Sequence, residues 1–374
     1  MKNRVYKYFF YEFISYFTVV VFALTAIIWT IQAVNYLDLV TDDGHAFFIY
    51  LFYSLLSIPK ILTKLIPFSF LLASMLTILK LDRENELIIL WTSGLNKIHI
   101  VNLMFRISLL IMFMQFLLSC FITPETLNYS RSVLKGSQLQ FVPSLLKEKQ
   151  FNDTVEGLTI FVEKKNNNGV YNNIFIRDDS NVLTKVSSGS STIFAKKGFV
   201  SKDENKLILL EGNIQKLDDD GSISVVTFGQ TQLNLSGIST KTISEPKLQE
   251  TSTLEIIECM KKENFSKHNC SHHKEEHKDA MIELNKRFGV PLFIPLISLI
   301  ACFMLSSRKD KEIIGFNKYI YFVLGFIILV LSEILVRYSG ISTQNTIIYY
   351  LFPIGFLPII YIFLMNKFKY ENLY

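Results

Sequence analysis

The sequence predicts a polytopic α-helical membrane protein with six transmembrane helices and an all-β domain inserted between the third and the fourth. Three observations predict this class. Hydrophobic residues make up 50% of the 374 residues and charged residues only 19%, below the usual quarter for soluble domains. Six apolar runs approach the roughly 20 residues with which a helix crosses a bilayer. The polar middle of the chain instead holds short β-rich segments separated by turn residues.

The second apolar run is longer than one span and is interrupted. Pro59 and Pro67 lie inside it together with Lys60 and Lys64. Proline interrupts a helix, and lysine at the bilayer centre is costly. We therefore predict an interfacial helix over 46–58, a bend, and a span over 65–79. The other predicted spans are 13–37, 107–124, 288–307, 319–332 with an extension past Glu333, and 346–365.

Lysine and arginine mark one side of the membrane. They cluster before the first span, between the second and third, between the fourth and fifth, and after the sixth: Lys2, Arg4, Lys7, Lys80, Arg83, Lys97, Arg308, Lys309, Lys311, Lys318, Lys367 and Lys369. The first loop on the opposite side carries Asp38, Asp42 and Asp43. The positive-inside rule then predicts that both termini are cytoplasmic and that the β domain lies outside the cytoplasm.

Four predicted regions follow. Residues 1–124 hold spans one to three, with a short cytoplasmic helix at about 81–94. Residues 125–250 form the β domain, whose strand spacing is typical of an antiparallel sandwich, jelly roll or barrel. Residues 251–286 form linker helices, where Ser252 and Glu255 have the spacing of a capping box. Residues 287–374 hold spans four to six.

The helix at about 81–94 ends at Gly94, which fits a left-handed C-cap. Its first half carries the acidic residues Asp82, Glu84 and Glu86. Its apolar stripe at helical spacing comprises Leu87, Leu90 and Trp91. Two interpretations fit this pattern: a helix lying flat on the membrane surface, or a helix docked in the groove of a cytoplasmic partner.

Several polar residues near the predicted spans have two interpretations each. Glu333 and Arg337 are four apart, and they either form an interfacial ion pair or contact a lipid headgroup. Lys60 and Lys64 are either snorkelling anchors or cations that bind substrate phosphates. Gln32 indicates a polar face on the first span.

No nucleotide-binding or hydrolase motif occurs in the sequence. There is no Walker A pattern, no Rossmann fingerprint and no G-x-S-x-G elbow, so we expect neither ATP hydrolysis nor a cofactor. A polar stretch does collect metal-ligand residue types: His268, Cys270, His272, His273 and His277. Either it binds a metal or it is a solvated linker, the interpretation we favour. A disulfide between Cys259 and Cys270 is possible, and the sequence leaves that question open.

The stretches L-I-P-F-S-F-L-L-A-S-M-L-T-I-L-K-L (65–81) and E-L-I-I-L-W-T-S-G-L-N-K (86–97) resemble the LptF/LptG permease family, whose pattern after the second span is S-E-L-x-V-M-x-A-x-G-x-S. The chain keeps Glu86, Leu87 and Gly94. It departs at Asn85, Leu90 and Asn96. The resemblance covers the whole chain, including E-L-N-K-R (283–287). The family often has E-L-H-x-R there, so this chain has Asn285 in place of the histidine. The segment 29–40 is closer to LptF than to LptG.

The resemblance implies the membrane half of the ABC transporter that extracts lipopolysaccharide from the inner membrane. The short helix would be its coupling helix, with Glu86 engaging the ATPase and Leu87, Leu90 and Trp91 filling the ATPase groove. The implied partners are an LptG-like permease, an LptB-like ATPase dimer, LptC-like and LptA-like periplasmic components, lipopolysaccharide and the bilayer, without nucleic acid.

The resemblance also implies a path for the lipid. The first and fifth spans would form a lateral gate, with Gln32 and Glu333 as candidates. The inserted domain would be a periplasmic jelly roll, and Leu158, Ile160 and Val162, which alternate with their neighbours, would line its greasy groove. Two rival classes are a β-domain sensor and a lipid-modifying enzyme. The first lacks a loop long enough for an output domain, and the second lacks clustered acids or histidines.

Overall fold

The computed structural model describes residues 2–41, 46–136, 146, 148–155, 157–166, 169–179, 190–201, 206–217, 222–234, 247–261, 274–306 and 311–371. Twelve α-helices are found in these ranges. They are α1 (Lys2–Asn35), α2 (Asp38–Thr41), α3 (Phe47–Leu56), α4 (Ile58–Arg83), α5 (Glu86–Thr92), α6 (Lys97–Leu117), α7 (Thr123–Gly136), α8 (Thr253–Lys261), α9 (Lys274–Gly289), α10 (Phe293–Cys302), α11 (Lys311–Ser339) and α12 (Thr343–Glu371). A π-helical turn, Leu118–Ile122, joins α6 to α7.

Six helical stretches of the described chain are long and apolar enough to cross a membrane: Arg4–Val40, Phe47–Arg83, Lys97–Leu134, His277–Leu305, Tyr319–Ser339 and Thr343–Lys369. They confirm the predicted class of a multi-pass helical membrane protein. The break in the second stretch lies at Ser57, and α4 begins at Ile58, earlier than the predicted start near Leu65. Pro59 is tolerated because it occupies the first turn, where the missing N–H has no helical partner.

The helical unit comprises residues 1–31, 57–128 and 247–374. Its centre is α10, whose residues are all buried. This helix packs against α4, α6, α11 and α12. One polar contact joins it to α6, where the hydroxyl of Ser298 donates to the carbonyl of Met104 at 3.2 Å. The spans around α10 keep large apolar side chains on their surfaces, as expected for helices facing lipid.

The second unit comprises residues 32–56 and 129–246. Its described strands form one antiparallel sheet in sequence order: β1 (Phe151–Val155), β2 (Leu158–Lys165), β3 (Val170–Asp178), β4 (Ser191–Ser201), β5 (Lys206–Leu217) and β6 (Ile223–Asn234). The sheet confirms the predicted all-β insertion. Strand β5 runs without interruption through Glu211, which has a left-handed φ of 50°, and Gly212.

Candidate functional site

The short helix α5 is bounded by three residues with special backbone roles. Asn85, immediately before it, has a left-handed φ of 58°, which asparagine tolerates better than most residues. Gly94 follows it with a φ of 82°, and the amide of Leu95 donates back to the carbonyl of Leu90 at 3.2 Å. The side chain of Asn96 then caps α6 by accepting from the amide of Ile98 at 2.9 Å. The C-cap predicted at Gly94 is confirmed.

The faces of α5 differ sharply in exposure. Leu87 is 4% exposed and belongs to the core of the helical unit, and Leu90 and Trp91 pack partly against the same core. The opposite face presents Ile88 and Ile89, which are 54% and 63% exposed. The stripe that the sequence analysis selected therefore holds the helix to its own chain. Periodicity identified an apolar stripe, but it carries no information on which side faces the protein.

The first turns of α1 are bonded to α5 and to the end of α4. The hydroxyl of Tyr8 donates to Oε1 of Glu86 at 3.0 Å. One turn further along α1, the carboxylate of Glu12 forms an ion pair with Lys80. Sequence reasoning missed both contacts, because 78 and 68 residues separate the partners along the chain.

A buried lysine follows α5. The ammonium of Lys97 lies 5.6 Å from the ring centroid of Trp91 and 5.7 Å from that of Phe368 on α12. Cation–π attraction of this kind favours a desolvated ammonium over aromatic faces. Lys97 thereby joins the end of the α5 segment to the last span.

A polar pocket of about 290 Å³ lies among α4, α6, α9 and α11. Its lining includes the basic residues Lys60, Lys64, Lys286 and Arg287 and the acidic residues Glu283 and Glu333. Lys286 pairs with Glu333 at 3.4 Å, and Arg287 pairs with Glu283 at 3.1 Å. Within the described part of the chain, Lys60 and Lys64 have no carboxylate at ion-pair distance. The pocket therefore carries two uncompensated positive charges.

The two charged residues selected on α11 do not pair with each other in the structure. Glu333 pairs with Lys286 and not with Arg337, so the structure does not support the first of the two interpretations, and Arg337 is exposed near the end of α11. The long, flexible side chain of Lys286 reaches Glu333 from a neighbouring helix, which helical spacing along the sequence does not reveal. Gln32 lies on α1 in the other unit, where its Oε1 has no hydrogen-bond partner among the described residues.

The two faces of the β-sheet are occupied differently. Leu158, Ile160 and Val162 are buried in a core that also contains Ile176 and Ile193, so protein side chains already fill this face. The other face bears a row of phenylalanines in direct register across β1 to β4: Phe151, Phe161, Phe175 and Phe194. Their ring centroids are 4.7 Å apart for the first pair and 5.2 Å apart for the last.

Three members of this row, Phe161, Phe175 and Phe194, line an open trough of about 720 Å³. Phe151 is 69% exposed and Phe194 is 41% exposed, although both are large apolar side chains. The polar residues at the trough interact with each other: Asn173 donates to Glu163, and Lys196 pairs with Glu211 at 3.1 Å. An accessible aromatic trough beside neutralised charges is suited to an elongated apolar guest.

The linker before α10 holds the described part of the histidine and cysteine stretch. His277 is exposed on α9, Cys259 on α8 is disulfide-bonded, and His268, Cys270, His272 and His273 lie outside the described residues. No group of metal-ligating side chains occurs in the ranges that the structure describes. The predicted capping box at α8 is confirmed, since Glu255 N–H donates to Ser252 Oγ at 3.2 Å and Ser252 N–H to Glu255 at 3.1 Å.

The comparisons with known proteins agree with this architecture. The family model described as "Lipopolysaccharide export system permease LptF/LptG" matches residues 7–367. An uncharacterized protein of Rickettsia prowazekii (strain Madrid E) is 29% identical over 238 residues, covering 63% of this chain and 64% of the relative. The family match reaches all six candidate spans and includes the β-sheet, and it does not distinguish LptF from LptG. The chain therefore belongs to the LptF/LptG family of lipopolysaccharide export permeases.

Proposed function

We propose that this chain is one of two permease subunits in an ABC transporter that extracts lipopolysaccharide from the bacterial inner membrane and passes it to a periplasmic bridge. The observation that carries the proposal is the family match over residues 7–367, which covers the spans and the inserted sheet together. The chain lacks a Walker A motif, so a separate LptB-like ATPase dimer supplies the energy. The second subunit is LptG-like, and LptC-like and LptA-like components receive the lipid.

The proposed orientation places both termini and α5 in the cytoplasm and the sheet in the periplasm. The distribution of lysine and arginine supports this orientation. The disulfide at Cys259 is in keeping with an oxidising compartment on the side of the sheet and its linker. Helix α5 then lies on the side where ATP is available to a partner.

The face of α5 that contacts the ATPase bears Ile88 and Ile89. Both side chains are exposed, whereas Leu87 is buried in the chain's own core. Large apolar side chains exposed on a short helix have the character of interface anchors, whose truncation typically weakens association by about 2 kcal/mol or more. This assignment places the apolar contact with the ATPase on the opposite face of α5 from the stripe that periodicity indicated.

Replacing Ile88 and Ile89 with serine tests this face. We expect the double variant to lose the ATPase during purification in mild detergent while the six spans remain folded. Thr92→Ala, an exposed change on the same helix, is the control and should retain the ATPase. Unchanged recovery of the ATPase with the double variant would contradict the assignment.

The polar pocket binds the phosphate groups of the lipid. Lys60 and Lys64 carry the uncompensated charge of this pocket, and phosphate oxygens are suitable acceptors for ammonium groups. Changing both lysines to glutamine should weaken binding of lipopolysaccharide but leave binding of its dephosphorylated form unchanged. Equal loss for both lipids would show that the lysines do not recognise phosphate.

The phenylalanine row carries the acyl chains after they leave the bilayer. The face that contains Ile160 is filled by the protein's own core, whereas the face that contains Phe194 is open. We expect a photocrosslinker at Phe194 to capture lipopolysaccharide in an ATP-dependent manner and one at Ile160 to capture none. Capture at Ile160 alone would return the lipid path to the face predicted from the sequence.

The experiment that tests the whole proposal is release of lipopolysaccharide from vesicles that contain the purified complex. Release should require ATP, both permease subunits and the periplasmic acceptor. Mass spectrometry of the complex isolated in mild detergent should identify the ATPase and the second permease. Purification of the chain without either protein, or release without ATP, would contradict the proposed function.

A further inference from the structure

An apolar groove lies on the surface of the helical unit, between α11 and α12. Its floor is formed by Leu296 and Ile300 of α10, which are buried. Its volume of about 370 Å³ is in the usual range for sites that bind small molecules. Every side chain that lines it is leucine, isoleucine or phenylalanine, so the lining offers a guest no side-chain hydrogen bond. The walls include Leu324 and Ile328 on α11 and Phe352, Phe356 and Phe363 on α12.

The groove has the depth of one bilayer leaflet. Its outermost wall residues on α12 are Phe352 and Phe363, and 363 − 352 gives 11 positions between them. At 1.5 Å per residue, these positions span about 16 Å of helix. Half of the hydrocarbon core of a bilayer is about 15 Å. One acyl chain that enters the groove from the surface of a leaflet would therefore reach the middle of the membrane.

A lysine lies one helical turn beyond the groove. The ammonium of Lys367 is 5.4 Å from the ring centroid of Phe303, directly after α10, and 5.7 Å from that of Tyr321 on α11. The rings of Phe303 and Phe363 are 5.8 Å apart, so aromatic contacts connect the lysine to the groove. Among the side chains that the structure describes, no carboxylate lies at ion-pair distance from Lys367. The groove thus ends at a cation without an acidic partner.

Two other occupants match these features less well. Packed transmembrane helices approach each other through small or hydrogen-bonding residues, whereas large apolar side chains wall this groove, which argues against a helix of the second permease. The lipid proposed for export binds through its phosphates at the polar pocket. Glu333 of that pocket is 12 positions from Tyr321 along α11, or about 18 Å. The cation at Lys367 is therefore at the wrong depth for the cargo phosphates.

We propose that the groove binds one acyl chain of an anionic glycerophospholipid in the cytoplasmic leaflet, with the phosphate of that lipid at Lys367. Ammonium groups donate to phosphate oxygens, and a lysine near the membrane surface attracts anionic lipids. The choice of leaflet rests on the proposed function, whose orientation places the end of α12 in the cytoplasm. The site holds a resident lipid of the membrane, separate from the polar pocket and from the phenylalanine row.

Two pairs of variants test the two parts of this site. Lys367→Gln removes the charge, and Lys369→Gln is the matched control, since it removes an exposed charge from the same turn of α12. Ile359→Trp obstructs the groove, and Ile354→Trp is its control. These isoleucines are 62% and 58% exposed on α12, but Ile359 lines the groove and Ile354 does not.

Binding is measured by native mass spectrometry of the complex purified in mild detergent, without ATP. The probes are phosphatidylglycerol, which is anionic, and phosphatidylcholine with the same acyl chains. We expect the unmodified complex to bind phosphatidylglycerol about fivefold more tightly, as for one lysine at an anionic surface. Lys367→Gln should abolish this preference and Lys369→Gln should keep it. Ile359→Trp should weaken binding of both lipids, and Ile354→Trp should weaken neither.

Four results would overturn the proposal. They are equal affinity of the unmodified complex for the two lipids, unchanged binding to Ile359→Trp, loss of the second permease from Ile359→Trp with lipid binding intact, and displacement of phosphatidylglycerol by an equal concentration of lipopolysaccharide. The third would make the groove a subunit interface, and the fourth would assign it to the exported lipid. Failure of the proposed function appears instead as lost ATP-dependent release from vesicles, which these binding measurements do not involve.

Discussion

The side-chain amide of Asn285 donates to the hydroxyl of Ser339 at 2.8 Å, and both residues are buried. The same side chain accepts from the Tyr350 hydroxyl at 3.2 Å, so one amide joins α9, α11 and α12. The family resemblance implies a histidine at this position, and a neutral imidazole also offers one donor and one acceptor. Asparagine therefore preserves the hydrogen-bonding function of the residue that it replaces.

Asn285→Leu should destabilise the chain by about 1–3 kcal/mol, because it leaves the buried Ser339 hydroxyl and the partly buried Tyr350 hydroxyl without their amide partner. Asn285→His should be close to the unmodified chain. Thermal unfolding in detergent measures both variants, with Gln344→Ala as an exposed control. An equal loss of stability in the leucine and histidine variants would show that side-chain volume, and not hydrogen bonding, determines which residue is stable at position 285.

Gly94→Ala should destabilise the α5 segment by about 1 kcal/mol, since a φ of 82° is unfavourable for a residue with a Cβ atom. No atom lies within 4 Å of a Cβ placed at Gly94, so the effect is conformational and not steric. Gly355 provides the control because it is equally open but helical. Hydrogen exchange of the α5 amides should accelerate for Gly94→Ala and stay unchanged for Gly355→Ala.

Arg287→Met should be severely destabilising. The guanidinium pairs with Glu283 at 3.1 Å and also donates to the carbonyls of Thr251 and Leu248, each at 3.1 Å. Removing one partner of a buried ion pair typically costs about 3–5 kcal/mol. Thermal unfolding should show a smaller loss for the double variant with Glu283→Leu, and Lys286→Met is the half-exposed control.

Glu211→Gly should stabilise the sheet by about 1 kcal/mol relative to Glu211→Ala, because glycine adopts the left-handed φ of 50° without a Cβ penalty. Both variants lose the exposed ion pair with Lys196, so their difference isolates the backbone effect. Hydrogen exchange of β5 amides provides the measurement. A more protected alanine variant would show that the left-handed backbone at Glu211 is not strained.

Local chemistry made part of the structure predictable. Ser252 and Glu255 cap α8, and Gly94 ends α5, because each rule depends on residues a few positions apart. The six spans were predictable for a similar reason, because each depends on a hydrophobic run of sufficient length within one stretch of sequence. Pairs distant in sequence were not predictable: Tyr8 with Glu86, and Lys286 with Glu333, meet only after the helices have packed.

The alternation of apolar side chains in β2 shows the same limit of prediction from the sequence. The pattern of Leu158, Ile160 and Val162 correctly separated two faces of a strand, since successive side chains point to opposite sides. It could not tell which face the protein would close with its own side chains. That choice depends on the register that brings Ile160 beside Ile176 on one face and Phe161 beside Phe175 on the other.

The closed face of the sheet has a consequence for the lipid-carrying role that we propose for this domain. Ile160, Ile176 and Ile193 complete a hydrophobic core from the chain's own residues, so the fold of this domain does not depend on cargo. Without bound lipid the domain would keep its fold. Binding and release would exchange lipid for water on the phenylalanine face without opening the core. Supply of lipid and stability of the domain are thereby uncoupled.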